Sequence, residues 1–359
     1  MPLRLTDQRA LELWESPLQR LCQEAHEFRC RFYPDKKASY IIMRIVSYTN
    51  VCVADCSYCA FYRRPGNVEG YVLTEEEIFK KIDHLLAVGG SLVAMEGGFN
   101  PKLKIDHYER LFRAVRKKYG DRVEIYGPTI VEVIFIAKAS RISPEEALVR
   151  LKESGLRWIP GGGAEILTDE WRKKLSPKKY SVKEYLGGIE LAQRLGFGTT
   201  ATMVIGFGES PKDRIEHLRH IRDLQEKTGG FSSFLLWSYQ PDNTVLGGIR
   251  AENDDYLRMV AISRLYLGNI PVIRASVLTQ GEGVAQALLS GAHDFDIPIE
   301  DQVTELAGAR IERNVEKVLG WVRAAGVEPV KRSPLPHPCP NISINALTEK
   351  TALPRPGSP

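Results

Sequence analysis

Cys52, Cys56 and Cys59 stand within eight residues of one another, in the stretch Asn50-Val-Cys-Val-Ala-Asp-Cys-Ser-Tyr-Cys-Ala-Phe-Tyr-Arg63. Thiolates are soft ligands that select zinc or iron–sulfur clusters. A structural zinc takes four ligands, and no second C-x2-C pair occurs in the chain. Half of the chain's six cysteines fall here, which is too concentrated for core packing alone. The C-x3-C-x2-C spacing can hold three irons of a [4Fe–4S] cluster. Such clusters ordinarily take four cysteines, so three leave one iron open. The amino and carboxylate groups of S-adenosylmethionine (SAM) can chelate an open iron. An electron passed into the sulfonium then splits a C–S bond and yields a 5′-deoxyadenosyl radical. That chemistry belongs to the cofactor, and the protein supplies geometry and keeps water out. Tyr58 and Phe61, the aromatics beside Cys59, are candidate cofactor contacts.

Further chemistry-bearing residues lie near Gly-rich or polar segments. Glu96-Gly-Gly-Phe-Asn-Pro101 offers Gly97 and Gly98, where backbone can approach a ligand closely; a plain turn explains the pair as well. Thr129 and Glu132 offer a hydroxyl and a carboxylate to SAM or to a substrate, although a helix N-cap accounts for Thr129 too. Pro160-Gly-Gly-Gly-Ala-Glu-Ile166 lacks the Lys-Ser/Thr of a P-loop. Its Glu165 suits ribose hydroxyls or an ammonium group and is the best cofactor or substrate contact outside the cysteines. Arg172 can pair with a carboxylate as a planar fork. Trp237-Ser-Tyr-Gln-Pro-Asp-Asn-Thr244 contributes Gln240, and Ser276-Val-Leu-Thr-Gln280 contributes Gln280. In His293-Asp-Phe-Asp296, His293 is a substrate contact or a satisfied structural histidine, and Asp294 is a carboxylate able to take a proton.

These residues need a scaffold that gathers them. Apolar, β-rich runs alternate with helical patterns along the whole chain. Strands are predicted at 40–46, 92–95, 123–126, 157–159, 199–205, 231–237, 272–275 and 292–295. Helices are predicted at 75–88, 108–119, from 143 to about 155, 181–195, 213–226, 254–267, 281–289 and about 313–325. Thr74 with Glu77 is a capping box, and Gly89-Gly90 stops the helix that follows it. Eight strand–helix units predict an α/β (β/α)8 TIM-type barrel over residues 39–330. In such a barrel functional residues sit at the C-terminal ends of the strands, and the clusters above fall at predicted strand ends. Residues 1–38 predict an N-terminal helical extension that closes one end of the core. Residues 331–359 are rich in proline and predict a poorly packed tail.

Composition narrows the partners. The net charge is +4, from 49 basic and 45 acidic residues, with no basic run, which argues against nucleic acid and membrane surfaces. No apolar run approaches the about 18 residues of a transmembrane helix, and no signal-peptide core is present. The expectation is a cytoplasmic protein in a reducing compartment, where Cys22, Cys30 and Cys339 remain unpaired.

Taken together, CAFYR (Cys59–Arg63), EGYVLT (Glu69–Thr74), GGFNP, IPGGGAEIL (Ile159–Leu167), TTATMVIGF (Thr199–Phe207), RIEHL (Arg214–Leu218), TGGF (Thr228–Phe231), WSYQPDNT, ASVLTQG and HDF resemble the radical SAM enzymes of menaquinone biosynthesis by the futalosine pathway. The resemblance spans about residues 40–325. It implies a full barrel, one [4Fe–4S] cluster, SAM, and a one-electron donor such as flavodoxin or ferredoxin. It also implies that the Gly-Gly segment faces the methionine end of SAM. The substrate it implies is a nucleoside–benzoate, dehypoxanthine futalosine. Hydrogen would be abstracted from its ribose C4′, and the carbon radical would add to the benzoate ring. Motif position places Tyr71 and Asp294 on the substrate and proton-transfer side. The pattern departs at Glu96, where the family usually has Gln, at Thr129-Ile-Val-Glu132, at His293, and after Ser276. Sister readings are aminofutalosine synthesis and the tyrosine-using step of deazaflavin synthesis. A non-enzymatic iron–sulfur protein would want a fourth cysteine and a compact fold.

Overall fold

Strands form where apolar runs are buried on both faces, the pattern of a parallel sheet covered by helices. A computed structural model describes residues 4–334. Its strands are β1 (Lys37–Ser47), β2 (Leu92–Glu96), β3 (Glu124–Tyr126), β4 (Trp158–Ile159), β5 (Gly198–Ile205), β6 (Phe231–Ser238), β7 (Val272–Ser276), β8 (Asp294–Pro298) and β9 (Glu328–Lys331). All pair in parallel, in the order β2 to β8, then β1 and β9, and β1 also pairs with β2. The first eight therefore close into a barrel. Helices on the outside bury the main core. A second apolar cluster, with Ile41, Met43, Leu92, Ala94, Tyr126 and Trp158, lies apart from it; these residues alternate with core-facing ones along their strands and so point into the barrel.

The N-terminal extension forms two helices, Asp7–Trp14 and Leu18–Cys30. They do not close an end of the barrel as expected. They lie along its side against the helices Pro211–Thr228 and Asn253–Tyr266. Arg258 Nη1 donates to the carbonyls of Trp14 and Ser16, each at 2.7 Å. These helices carry charge on one face and Ala10, Leu13, Leu21 and Ala25 on the buried one, which suits a lateral packing role.

The far end of the barrel is instead closed from the C-terminal side. β9 pairs with β1 over Lys37–Tyr40, below the point where β2 begins to pair. Arg332, just beyond it, turns inward to Asp294. The start of the expected loose tail is thus built into the barrel, while the rest of that tail, Cys339 included, lies outside the described residues. Among the helices that escaped the sequence pattern, Ile130–Ser140 and Asp169–Leu175 are the longest. The first is apolar nearly all round, so it has no amphipathic period to read.

Candidate functional site

The cysteine loop leaves the top of β1 and is pinned by its own backbone. Cys52 N donates to Arg63 O at 2.8 Å, and Arg63 N to Asn50 O at 2.7 Å. Asp55 takes a left-handed φ of 50° to turn the chain between the first two cysteines. Cys52 Sγ accepts from the amides of Ala54 (3.4 Å) and Phe99 (3.2 Å), and Cys59 is served by the amides of Phe61 and Tyr62. Burial pushes all three thiols up, Cys56 to about 12, and Cys56 senses the charge of both Cys59 and Cys52. Three soft donors thus share one neighbourhood. Among the described residues no group of three or more His, Cys, Asp or Glu is spaced around a single metal ion. Three thiolates without a fourth ligand suit a cluster, which offers each thiolate a different iron, better than a lone zinc, which takes four.

The Gly-Gly segment presses on this loop. A Cβ at Gly98 would stand 2.3 Å from Val51 O and 2.8 Å from Cys52 Cβ, and one at Gly97 would meet the Tyr48 ring at 2.6 Å. Both positions exclude side chains. Behind them, Glu132 accepts from Gly97 N at 2.8 Å, from the Tyr48 hydroxyl, and from the amide and hydroxyl of Thr129 at 2.8 and 2.7 Å. Thr129 and Glu132 form the capping box of the helix Ile130–Ser140. Their polar atoms are therefore spent on holding the glycines, not on cofactor or substrate as expected.

Glu165 and Tyr58 do meet. The Tyr58 hydroxyl donates to Glu165, and Lys179 Nζ lies 2.7 Å from the Tyr58 oxygen and 3.2 Å from Glu165 Oε1. Burial works against the Lys179 charge, but Cys56 and Glu165 outweigh it and raise its pKa. Glu165 Oε2 is buried without a partner among the described residues. Lys179 was not anticipated, since a lysine in Pro-Lys-Lys-Tyr reads as a solvated loop. Arg172, expected to fork onto a carboxylate, gives Nη1 to the carbonyls of Gly163 and Ala164, both at 3.1 Å, and Nε to Tyr180 O. It shapes the Gly-rich loop and does not line the cavity.

A cavity of about 250 Å³ runs from the cysteine loop into the barrel. Tyr58, Cys59, Gly162, Glu165 and Gln240 line it. Gln280 stands behind, its Nε2 2.8 Å from Ser238 Oγ. Glu96 ends β2 facing the cavity, with no hydrogen-bond partner for its carboxyl among the described residues. Burial and the charges of Glu132 and Asp301 push it up to about 8. Phe61 and Tyr71 meet edge to face at 6.3 Å, and the Tyr71 hydroxyl donates to Ser47 O at 3.0 Å. They brace the loop from the side and are not among the cavity-lining residues.

His293 and Asp294 are not brought to the cysteines. β8 begins at Asp294, where the sequence reading had the strand end. Asp294 is level with Ser39 of β1, eight residues below Ser47, or about 26 Å at 3.3 Å per residue. It is fully buried between Arg274 (2.9 Å) and Arg332 (2.6 Å). Burial alone would raise its pKa, but the two guanidinium groups overcome that and lower it. His293 Nδ1 meets Arg264 Nη2 at 2.9 Å, and its ring stacks on Tyr33 at 3.8 Å. Asp294 closes the floor of the barrel, and His293 packs beside it on Tyr33 and Arg264.

A parallel barrel with a three-cysteine loop at the end of its first strand is the architecture of a radical SAM enzyme, and residues 46–221 match the Radical SAM superfamily. Residues 228–337 match the CofH/MqnC C-terminal region. The chain belongs to this CofH/MqnC family of radical SAM enzymes. It is 40% identical over 334 residues to the cyclic dehypoxanthine futalosine synthase of Halalkalibacterium halodurans, covering 92% of this chain and 90% of that one. It is 38% identical to the enzyme of the same name from Streptomyces coelicolor, covering 92% and 84%. Against the 5-amino-6-(D-ribitylamino)uracil–L-tyrosine 4-hydroxyphenyl transferase of Methanococcoides burtonii the identity is 35%, covering 92% and 94%. In fold it is similar to methylornithine synthase (PylB), with a TM-score of 0.72 at 20% identity, covering 91% and 94%.

Proposed function

We propose that this enzyme cyclises dehypoxanthine futalosine in menaquinone biosynthesis. Near full-length likeness to two cyclic dehypoxanthine futalosine synthases carries the reading. Cys52, Cys56 and Cys59 would hold the cluster, which with SAM would supply a 5′-deoxyadenosyl radical when reduced by a donor of the flavodoxin or ferredoxin class. The chain's own residues then have separate tasks. Gly97 and Gly98 offer bare backbone to the methionine end of SAM. The free Oε2 of Glu165 accepts from a ribose hydroxyl or an ammonium, with Lys179 and Tyr58 fixing its aim. The cavity excludes water while the substrate gives up its C4′ hydrogen and closes onto the benzoate ring. Rearomatisation then gives up one ring proton and one electron, the electron going to an oxidised one-electron carrier of the same flavodoxin or ferredoxin class that supplied the first. Glu96 takes that proton in place of Asp294, because it faces the cavity and Asp294 does not.

Anaerobic cluster reconstitution followed by mass spectrometry tests this. With SAM, a reductant and dehypoxanthine futalosine, the expected product is two hydrogens lighter than its precursor and forms together with 5′-deoxyadenosine. The tyrosine transferase reading has its own support in the 35% identity spanning 94% of the Methanococcoides burtonii enzyme. Product from L-tyrosine and 5-amino-6-(D-ribitylamino)uracil, and none from the futalosine, would replace the cyclase with it.

A further inference from the structure

The lower half of the cavity has a chemical character of its own. Its walls are apolar, from Met43, Leu92, Ala94, Tyr126 and Leu235. Arg274 is the one Lys or Arg among the residues lining the cavity. It stands on β7, two residues below the strand's end, and is 5% exposed. Nε donates to Asp294 Oδ1 at 2.9 Å and Nη2 to Asp296 Oδ1 at 3.3 Å. Nη1 has no partner among the described residues. Asp294 is shared, because Arg332 reaches it from beneath with Nε 2.6 Å from Oδ2 and Nη2 3.2 Å from Oδ1.

Two guanidinium groups thus compete for Asp294, while Arg274 keeps a spare N–H at the floor of a low-dielectric cavity. Nη1 is open to the cavity that Arg274 lines, and a guanidinium matches a carboxylate in plane and charge. Flat apolar walls above it fit an aromatic ring. We propose that Arg274 is the anchor for the carboxylate of an aryl-acid substrate, aimed from below by Asp294 and Arg332. This rests on the cyclase reading, in that the aryl acid is the benzoate of the nucleoside substrate. Asp296 shares the floor, and burial raises its pKa against the pull of Arg274. It is the floor carboxyl able to take up a proton when the substrate's carboxylate arrives as the third, which keeps the floor near neutrality.

The test compares wild type, Arg274→Lys and Arg274→Gln as reconstituted holoenzymes. Each is given dehypoxanthine futalosine and its analogue with the benzoate carboxylate replaced by a carboxamide. Wild type is expected to prefer the acid on the order of 100-fold in kcat/KM. Arg274→Gln should lose most of that preference, chiefly through KM, and Arg274→Lys should keep part of it. A folded, cluster-loaded Arg274→Gln with the full preference overturns the assignment. So does a wild type that treats acid and amide alike, which needs no variant to fold. Calorimetric titration with benzoate and benzamide separates this from the cyclase reading. If wild type cleaves SAM but forms no cyclised product, the cyclase reading fails. Tighter binding of benzoate than benzamide, lost in Arg274→Gln, would still place the carboxylate at Arg274, and equal binding would remove it.

Discussion

At the level of single residues, the three cysteines were plain in the sequence because their spacing is local. Lys179 and Arg274 were not, because each acquires its meaning from a partner on another strand or loop. Gly98 shows how tightly the local part is built. Gly98→Ala would put a methyl group 2.3 Å from Val51 O, and backbone cannot yield there cheaply. Reconstituted Gly98→Ala should carry well under half the iron and sulfide of wild type. A full load with normal SAM cleavage would contradict that. Asp294 teaches the opposite lesson. A carboxylate next to a histidine reads as a base, yet here it is the counter-ion of two buried arginines. Removing one member of such a buried network typically costs about 3–5 kcal/mol. Asp294→Asn should therefore lower the melting temperature by several degrees. An unchanged melting temperature with lost product formation would return Asp294 to the chemistry.

At the level of elements, strand order and six of the eight barrel strands were legible to within two residues, and β1 to within three, since their apolar runs are bounded by glycines and capped helices. β8 was misplaced because two of its inward residues, Asp294 and Asp296, are charged and ion-paired, so hydropathy fades where the strand begins. β9 pairs with residues nearly three hundred positions away, a contact no local pattern announces. The Gly-rich loop after β4 depends on another hidden tie, in which Leu167 N donates to His217 Nδ1 at 3.0 Å. Burial holds His217 down to about 3, below the ordinary ~6.5. Between about pH 3 and 6.5 the unfolded chain takes up a proton that the folded chain refuses. Its contribution is therefore complete above about pH 6.5 and declines as pH falls towards 3. Between pH 6.5 and 5 this amounts to about 2 kcal/mol. Denaturant unfolding at the two pH values should show that loss in wild type and a smaller one in His217→Phe. Equal losses would remove His217 as the cause.

At the level of the whole molecule, the barrel has a reactive mouth and a locked floor. The mouth carries cysteines, glycines and the Tyr58–Glu165–Lys179 cluster. The floor carries the Arg332–Asp294–Arg274 chain of ion pairs. Among the described residues no helix is long and apolar enough to cross a membrane. Arg332→Ala should loosen the floor without touching the mouth. The expected outcome is a lower melting temperature with the cluster's absorbance retained on reconstitution. Loss of the cluster at an unchanged melting temperature would show that the two ends are not separable.

The strand that completes this floor also sets a timetable. Cys52 leaves the ribosome 280 residues before Arg332, which at roughly 5–20 residues per second is between about 14 and 56 seconds. Throughout that interval β1 lacks its lower neighbour, and Asp294, once made, has Ser39 and Arg274 but not Arg332 for company. Once β8 has closed the barrel, it is a tube still open at its base until β9 is made. The base is sealed by the last of these strands to be made, when every barrel strand around the cysteine loop at the opposite end has already been synthesised.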